Sequence, residues 1–185
     1  MLRRLLGIFY LRSRSAKVGI RMFSANDFHF HSFEATEDIT RYSNGGYHPV
    51  IIGDILRSPS KSYRIVQKLG FGTYATVWLA QQVDRPRSFY SLKVTTSDGL
   101  SGNEAQVLSS LHDKPRVSNI IALRDSFELE GPNGRHWVLV TDVVVPLVNL
   151  LSPERSLDWR IKVVKGIVKG VASLHASNIV HGGTG

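Results

Sequence analysis

No cysteine occurs anywhere in the 185 residues, which excludes a disulfide framework, a thiolate metal site and the small secreted scaffolds that depend on either. An intracellular protein is expected. Acidic residues are missing from the first 23 positions, where Arg3, Arg4, Arg12, Arg14, Lys17 and Arg21 fall. Those six carry most of the formal charge of +8, and the rest of the chain holds 17 basic against 15 acidic residues. The folded part is therefore nearly neutral, and neither nucleic acid nor an acidic membrane is expected as a partner. Long uninterrupted apolar runs are also absent. Leu5 to Leu11 is too short to cross a bilayer, and the stretch from Trp137 to Leu151 is broken by Asp142, Pro146 and Asn149 and dominated by Val, the pattern of a buried strand entering a connector. No internal repeat or low-complexity tract is present.

What is there falls into three stretches. Residues 1–23 are Arg-rich, Ser-containing and partly apolar, and Arg21-Met22-Phe23-Ser24 resembles a matrix-peptidase cleavage context. This composition fits a mitochondrial targeting segment; a disordered basic tail or sequence ahead of a start at Met22 fits it too, with the cytoplasm or nucleus as the location. Residues 24–46 are polar and turn-rich and read as a linker. From Tyr47 onward the texture is that of a globular domain. Strands are predicted over Tyr63 to Lys68, Val77 to Ala80, Phe89 to Thr95, Ile120 to Leu129 and His136 to Val145, the last two joined by the turn Gly131-Pro132-Asn133-Gly134. Val107, Leu108 and Leu111 predict a short helix over Asn103 to Leu111. A longer helix is predicted over Trp159 to His175, capped by Asp158, with Val164, Ile167, Val168, Val171 and Leu174 on one face.

The segment that carries chemistry is Leu69-Gly70-Phe71-Gly72-Thr73-Tyr74-Ala75-Thr76-Val77, glycines between two strands. Glycine lets a backbone approach phosphate oxygens and donate N–H groups to them, while Val77 could pack on a base. Glycines at a hairpin also commonly serve only the turn. A dinucleotide fold would need a helix directly after the glycines, and Thr76-Val77-Trp78-Leu79 is strand chemistry; a Walker loop would need Gly-Lys-Ser/Thr. Lys93 lies on a strand 18 residues beyond Ala75, where its amine could reach phosphates or simply face water. Glu104 opens the following helix, where it could pair with Lys93 or serve only the helix dipole.

Together with Tyr47-His48-Pro49-Val50, Ile52-Gly53-Asp54 and Lys68-Leu69-Gly70-Phe71-Gly72, this series resembles the protein kinases, and among them the Ser/Arg-rich-protein kinases and their fungal relatives, over residues 37–183. The resemblance implies an α+β fold: a kinase-like amino-terminal lobe of five antiparallel strands and one helix (about 47–141), a hinge (about 142–146) and the first helix or helices of an incomplete carboxyl-terminal lobe (147–185). It implies ATP as ligand, held by Leu69, Gly70, Phe71, Gly72, Thr73, Tyr74, Ala75, Thr76 and Val77, by Lys93 with Glu104, and by backbone groups at Asp142 and Val144. Leu69, Val77 and Leu92 would flank the adenine, and Thr141 would be the gatekeeper. It implies serine/threonine kinase activity on a protein substrate rich in Ser and Arg.

Asn178-Ile179-Val180-His181-Gly182 resembles the approach to a kinase catalytic loop, but Gly183 stands where the resemblance places the catalytic Asp. The Asn and the Asp-Phe-Gly that hold Mg²⁺ in the family do not follow. Truncation at the start of the catalytic loop, and no phosphoryl transfer by this chain alone, are the expectations. Three readings stay open: a clipped active kinase, an inactive nucleotide-binding remnant, and a non-catalytic interaction fragment that keeps the fold. With the rest of the lobe missing, the apolar face of helix 159–175 is expected to lack partners.

Overall fold

Period-two alternation of β-branched and aromatic residues makes most of this protein's strands, and a computed structural model shows how they assemble; it describes residues 3–5, 36–98, 102–112, 119–144 and 156–181. The strands are β1 (Arg3–Leu5), β2 (Ile55–Arg57), β3 (Ser62–Gly72), β4 (Ala75–Gln82), β5 (Phe89–Thr95), β6 (Leu123–Gly131), β7 (Gly134–Asp142) and β8 (Ile179–His181), with helices α1 (Gly102–His112) and α2 (Leu157–His175). One six-stranded antiparallel sheet runs β2-β3-β4-β5-β7-β6, and β1 pairs in parallel with β8. The architecture is an antiparallel sheet with two helices, as expected of a kinase-like amino-terminal lobe and the start of the next.

The sheet has one strand more than the five predicted. Edge strand β2 is three residues long with only Leu56 buried, too short to show an alternation; its pairing with β3 through Leu56↔Tyr63 makes it a strand.

Alternation gives the sheet two different faces. On one, Trp78, Leu92, Val94, Val138, Val140 and Phe127 join Tyr63 and Ile65 in a dry core. On the other, Leu139 meets Val107, Leu108 and Leu111 of α1, together with Leu174 of α2 and Ile179. Burying a side chain such as Leu139 is worth about 1.5–3 kcal/mol. Three side chains of α1, Val107, Leu108 and Leu111, are buried in this cluster, so apolar contact seats α1 on the sheet.

Helix α2 departs from its predicted cap and face. Ser156, not Asp158, is the N-cap, its side chain accepting from the Trp159 N–H at 3.3 Å, and Asp158 sits in the first turn. The buried positions are Val163, Gly166, Gly170 and Leu174. Val164 and Val168, predicted to face inward, are 53% and 61% exposed and continue a stripe from Leu157 and Ile161. The buried face thus runs through Val163, Gly166, Gly170 and Leu174, offset from the predicted valine stripe.

Residues 36–46, the described end of the predicted linker, are packed onto the sheet. A 3₁₀ turn (Ile39–Arg41) leads into a tight turn closed by Gly46 N–H to Ser43 O at 2.8 Å. Polar and aromatic contacts hold this segment, which is why apolar periodicity does not reveal it. Of the predicted targeting segment only Arg3–Leu5 is described. The remainder, the connector 145–155 and the stretch Gly182–Gly185 with Gly183 lie outside the described residues.

Candidate functional site

Cross-strand partners share a face, so the register shows which predicted residues meet. Val77 pairs with Lys93, and Lys93 with Leu139; one step along, Leu79 pairs with Ser91, and Ser91 with Thr141. Lys93 therefore projects on the side that carries α1. Glu104 lies one and two turns before Leu108 and Leu111, which seat the helix, and its Oε2 accepts from Lys93 Nζ at 2.6 Å. Both side chains are largely screened from solvent, at 28% and 16% relative exposure. The arrangement is a fixed ammonium beside an apolar row, with charge available to a bound anion.

The glycine segment forms the β3–β4 hairpin: Gly70↔Val77, Phe71↔Thr76 and Gly72↔Ala75 are paired, with Thr73 and Tyr74 at the tip. A register shift between Lys68 and Gly70 places Leu69 at an irregularity of β3. Neither Gly70 nor Gly72 has a left-handed φ, and a Cβ on either would meet no atom within 4 Å. Nothing in the described protein requires glycine there, whereas the close approach of an outside group would.

Not every predicted contact residue points the same way. Thr76 is fully buried and accepts from the Trp78 indole N–H at 3.0 Å, so its side chain belongs to the dry core. Leu92 is fully buried in that same core, on the face opposite Lys93. Its predicted place beside the adenine is a correction: Ser91, two residues before Lys93, occupies the Lys93 face. The period of the strand already carried that signal. Phe71, partnered with Thr76, also lies on the far side from Lys93, and Tyr74 is 58% exposed.

At the end of β7, the Asp142 carboxylate accepts from Arg124 Nε at 2.8 Å and Nη2 at 2.6 Å. This fork turns the Asp142 carboxylate toward Arg124. Thr141, Val143 and Val144 are half-buried beside it.

A second polar cluster lies on the outer face of the hairpin. Lys68 Nζ donates to both Glu37 oxygens at 2.5 Å and to Tyr42 Oη at 3.0 Å. Burial works against the Lys68 charge, but the bonds to Glu37 and Tyr42 outweigh it and lift the amine above its ordinary value. Burial likewise raises the Tyr42 phenol. His48 packs edge-on against His136 at 5.0 Å between centroids; burial and then His136 hold it below the usual histidine range. Among the described residues no group of three or more His, Cys, Asp or Glu could hold a metal ion. No described helix is long and apolar enough to cross a membrane.

No protein-family model matches the chain. It is 34% identical over 157 residues to SRSF protein kinase 3 of Homo sapiens, covering 80% of this chain and 27% of that protein. It is 36% identical over 113 residues to the serine/threonine-protein kinase SRPK of Physarum polycephalum, covering 58% and 25% respectively. Protein kinase dsk1 of Schizosaccharomyces pombe is 36% identical over 144 residues, 74% of this chain and 25% of that one. The chain thus spans about a quarter of the length of these curated relatives.

Proposed function

Because this chain is a homologue of the SRPK-type serine/threonine protein kinases over most of its own length, we propose that it is the ATP-binding portion of such a kinase. The observation that carries this is the 2.6 Å pair of Lys93 and Glu104 on the sheet face shared with Val77, beside a hairpin whose Gly70 and Gly72 leave open space. Lys93 would hold the α- and β-phosphates, Glu104 would keep the amine aimed, and N–H groups of the hairpin would cover the phosphates. Val77, Leu69 and Ser91 would flank the adenine, with backbone groups of Asp142 and Val144 bonding its edge and Thr141 behind it.

Mg²⁺ serves the family, but among the described residues no group of three or more His, Cys, Asp or Glu could hold it. With Gly183 at the position matched to the catalytic Asp, these 185 residues are proposed to bind ATP without transferring phosphate. A protein substrate rich in Ser and Arg, and a boundary between lobes near 142–146, are part of the same proposal. So is targeting by residues 1–23, to be read from the location of a fluorescent fusion of residues 1–30; diffuse signal would end that part.

Thermal unfolding with ATP tests the binding. At a hundredfold excess over Kd, a ligand adds about 2.7 kcal/mol of stability. Lys93→Met should reduce that gain, read against the variant's own unliganded transition, which the unpaired Glu104 should lower. A wild-type transition indifferent to millimolar ATP would sink the reading. It would favour a non-catalytic interaction fragment, for which the exposed stripe Leu157, Ile161, Val164 and Val168 is the supporting observation.

A further inference from the structure

We propose that Tyr47 is a positioning residue of the nucleotide site, holding the glycine hairpin from its outer face so that its inner face is shaped for phosphate. This rests on the ATP-binding reading above. Tyr47 is 2% exposed, and its Oη donates to the Gly72 carbonyl at 2.7 Å, across 25 residues of sequence. A second bond holds the other side of the tip, from Thr96 N–H to the Tyr74 carbonyl at 2.9 Å. In a planar trans peptide the N–H points opposite to the preceding C=O. Fixing the Gly72 carbonyl toward Tyr47 therefore fixes the Thr73 N–H away from it, free to donate to an anion.

The support behind Tyr47 is built for that purpose. Its carbonyl accepts from the buried Asn133 Nδ2 at 2.6 Å, and its N–H donates to Arg41 O at 2.7 Å. Arg41 Nη1 donates to its Oη at 3.1 Å, and the guanidinium lies 4.6 Å over its ring. The turn that delivers it needs both glycines: Gly45 has φ +86°, and a Cβ on Gly46 would collide with the Arg41 carbonyl. Gly45 and Gly46 are in turn bonded to the loop that carries Thr96, through Asp98 N–H at 2.9 Å and Ser97 N–H at 3.2 Å. The two holds on the hairpin tip are thus parts of one network. Any buried phenol needs a hydrogen-bond partner; what points to positioning is that the partner here is the carbonyl of Gly72, at the hairpin tip.

Tyr47→Phe in the full chain separates the two roles, since it keeps the ring and removes only the hydroxyl. Binding of ATP and of adenosine is measured, with amide hydrogen exchange of residues 71–76 in the unliganded protein. The expected result is faster exchange in that segment and about 2- to 10-fold weaker ATP binding, the range for one lost hydrogen bond, with adenosine binding unchanged. Asn133→Ala should shift the same ATP-to-adenosine ratio in the same direction. An unchanged ratio in Tyr47→Phe, with both ligands bound by wild type, overturns the role of Tyr47 and leaves the ATP reading standing. Wild type that binds neither ligand overturns both.

Discussion

The two glycine-bearing hairpins look alike in sequence and are opposites in structure. In the β6–β7 hairpin, Gly134 has φ +120° and a Cβ there would strike Ser97, while a Cβ on Gly131 would enter the ring of His48. Those glycines are demanded by the protein's own packing. In the β3–β4 hairpin, Gly70 and Gly72 have ordinary backbone angles and empty space around them. Glycine that the fold does not need, next to an anchored lysine, is what the proposed nucleotide site would require.

The largest effect is expected where glycine is structural. Gly134→Ala should lose about 1–3 kcal/mol through backbone strain, and Gly131→Ala a similar amount, about 1–3 kcal/mol, through overpacking against His48, both read from urea unfolding midpoints. Midpoints unmoved in both variants would erase the contrast between the hairpins. Gly70→Ala and Gly72→Ala should act the other way, gaining about 0.4–1 kcal/mol from a less flexible unfolded chain. ATP binding should weaken in both while adenosine binding holds. Destabilisation of the order seen at Gly134 would make these turn glycines after all.

The smallest effects separate the hairpins by pH. His48, against the β6–β7 turn, has a folded pKa below its ordinary 6.5, so its contribution is present above that value and lost as pH falls through the depressed one. Lys68 and Tyr42, on the β3–β4 side, have raised folded values, so theirs is present below about pH 10 and lost as pH climbs through them. His48→Gln should flatten only the acid limb of the stability profile and Tyr42→Phe, which removes the phenol and no carboxylate, only the alkaline limb; one variant flattening both limbs would show that the two sides are not independent.

Much of the fold is legible because burial follows short periods. The strand Phe89–Thr95 is readable to the residue, and the hairpin turn at Pro132-Asn133 follows from its glycines. Errors arise where a period gives no guidance. Strand β2 is too short to alternate, and α2 buries Val163, Gly166, Gly170 and Leu174 while leaving Val164 and Val168 exposed. The segment 36–46 is held by an ion pair to Lys68 and by its aromatic rings, neither of which leaves a pattern along the chain. In the site, Lys93 and Glu104 can be named from order and residue type, whereas adjacency to Lys93 points to Leu92 when it is Ser91 that shares the face. Tyr47 belongs to a recognisable string, but nothing in that string points to Gly72.

By itself, then, the sequence determined five of the six strands of the main sheet, the glycine segment, and the lysine and glutamate as a candidate pair, because alternation, turn residues and residue type are local properties. Only the tertiary structure decided which glycines are structural, which side of the hairpin is anchored and which valines of α2 are left in solvent. Those outcomes depend on what a residue meets across the fold, and contacts over long separations in sequence are set by packing that no local pattern encodes.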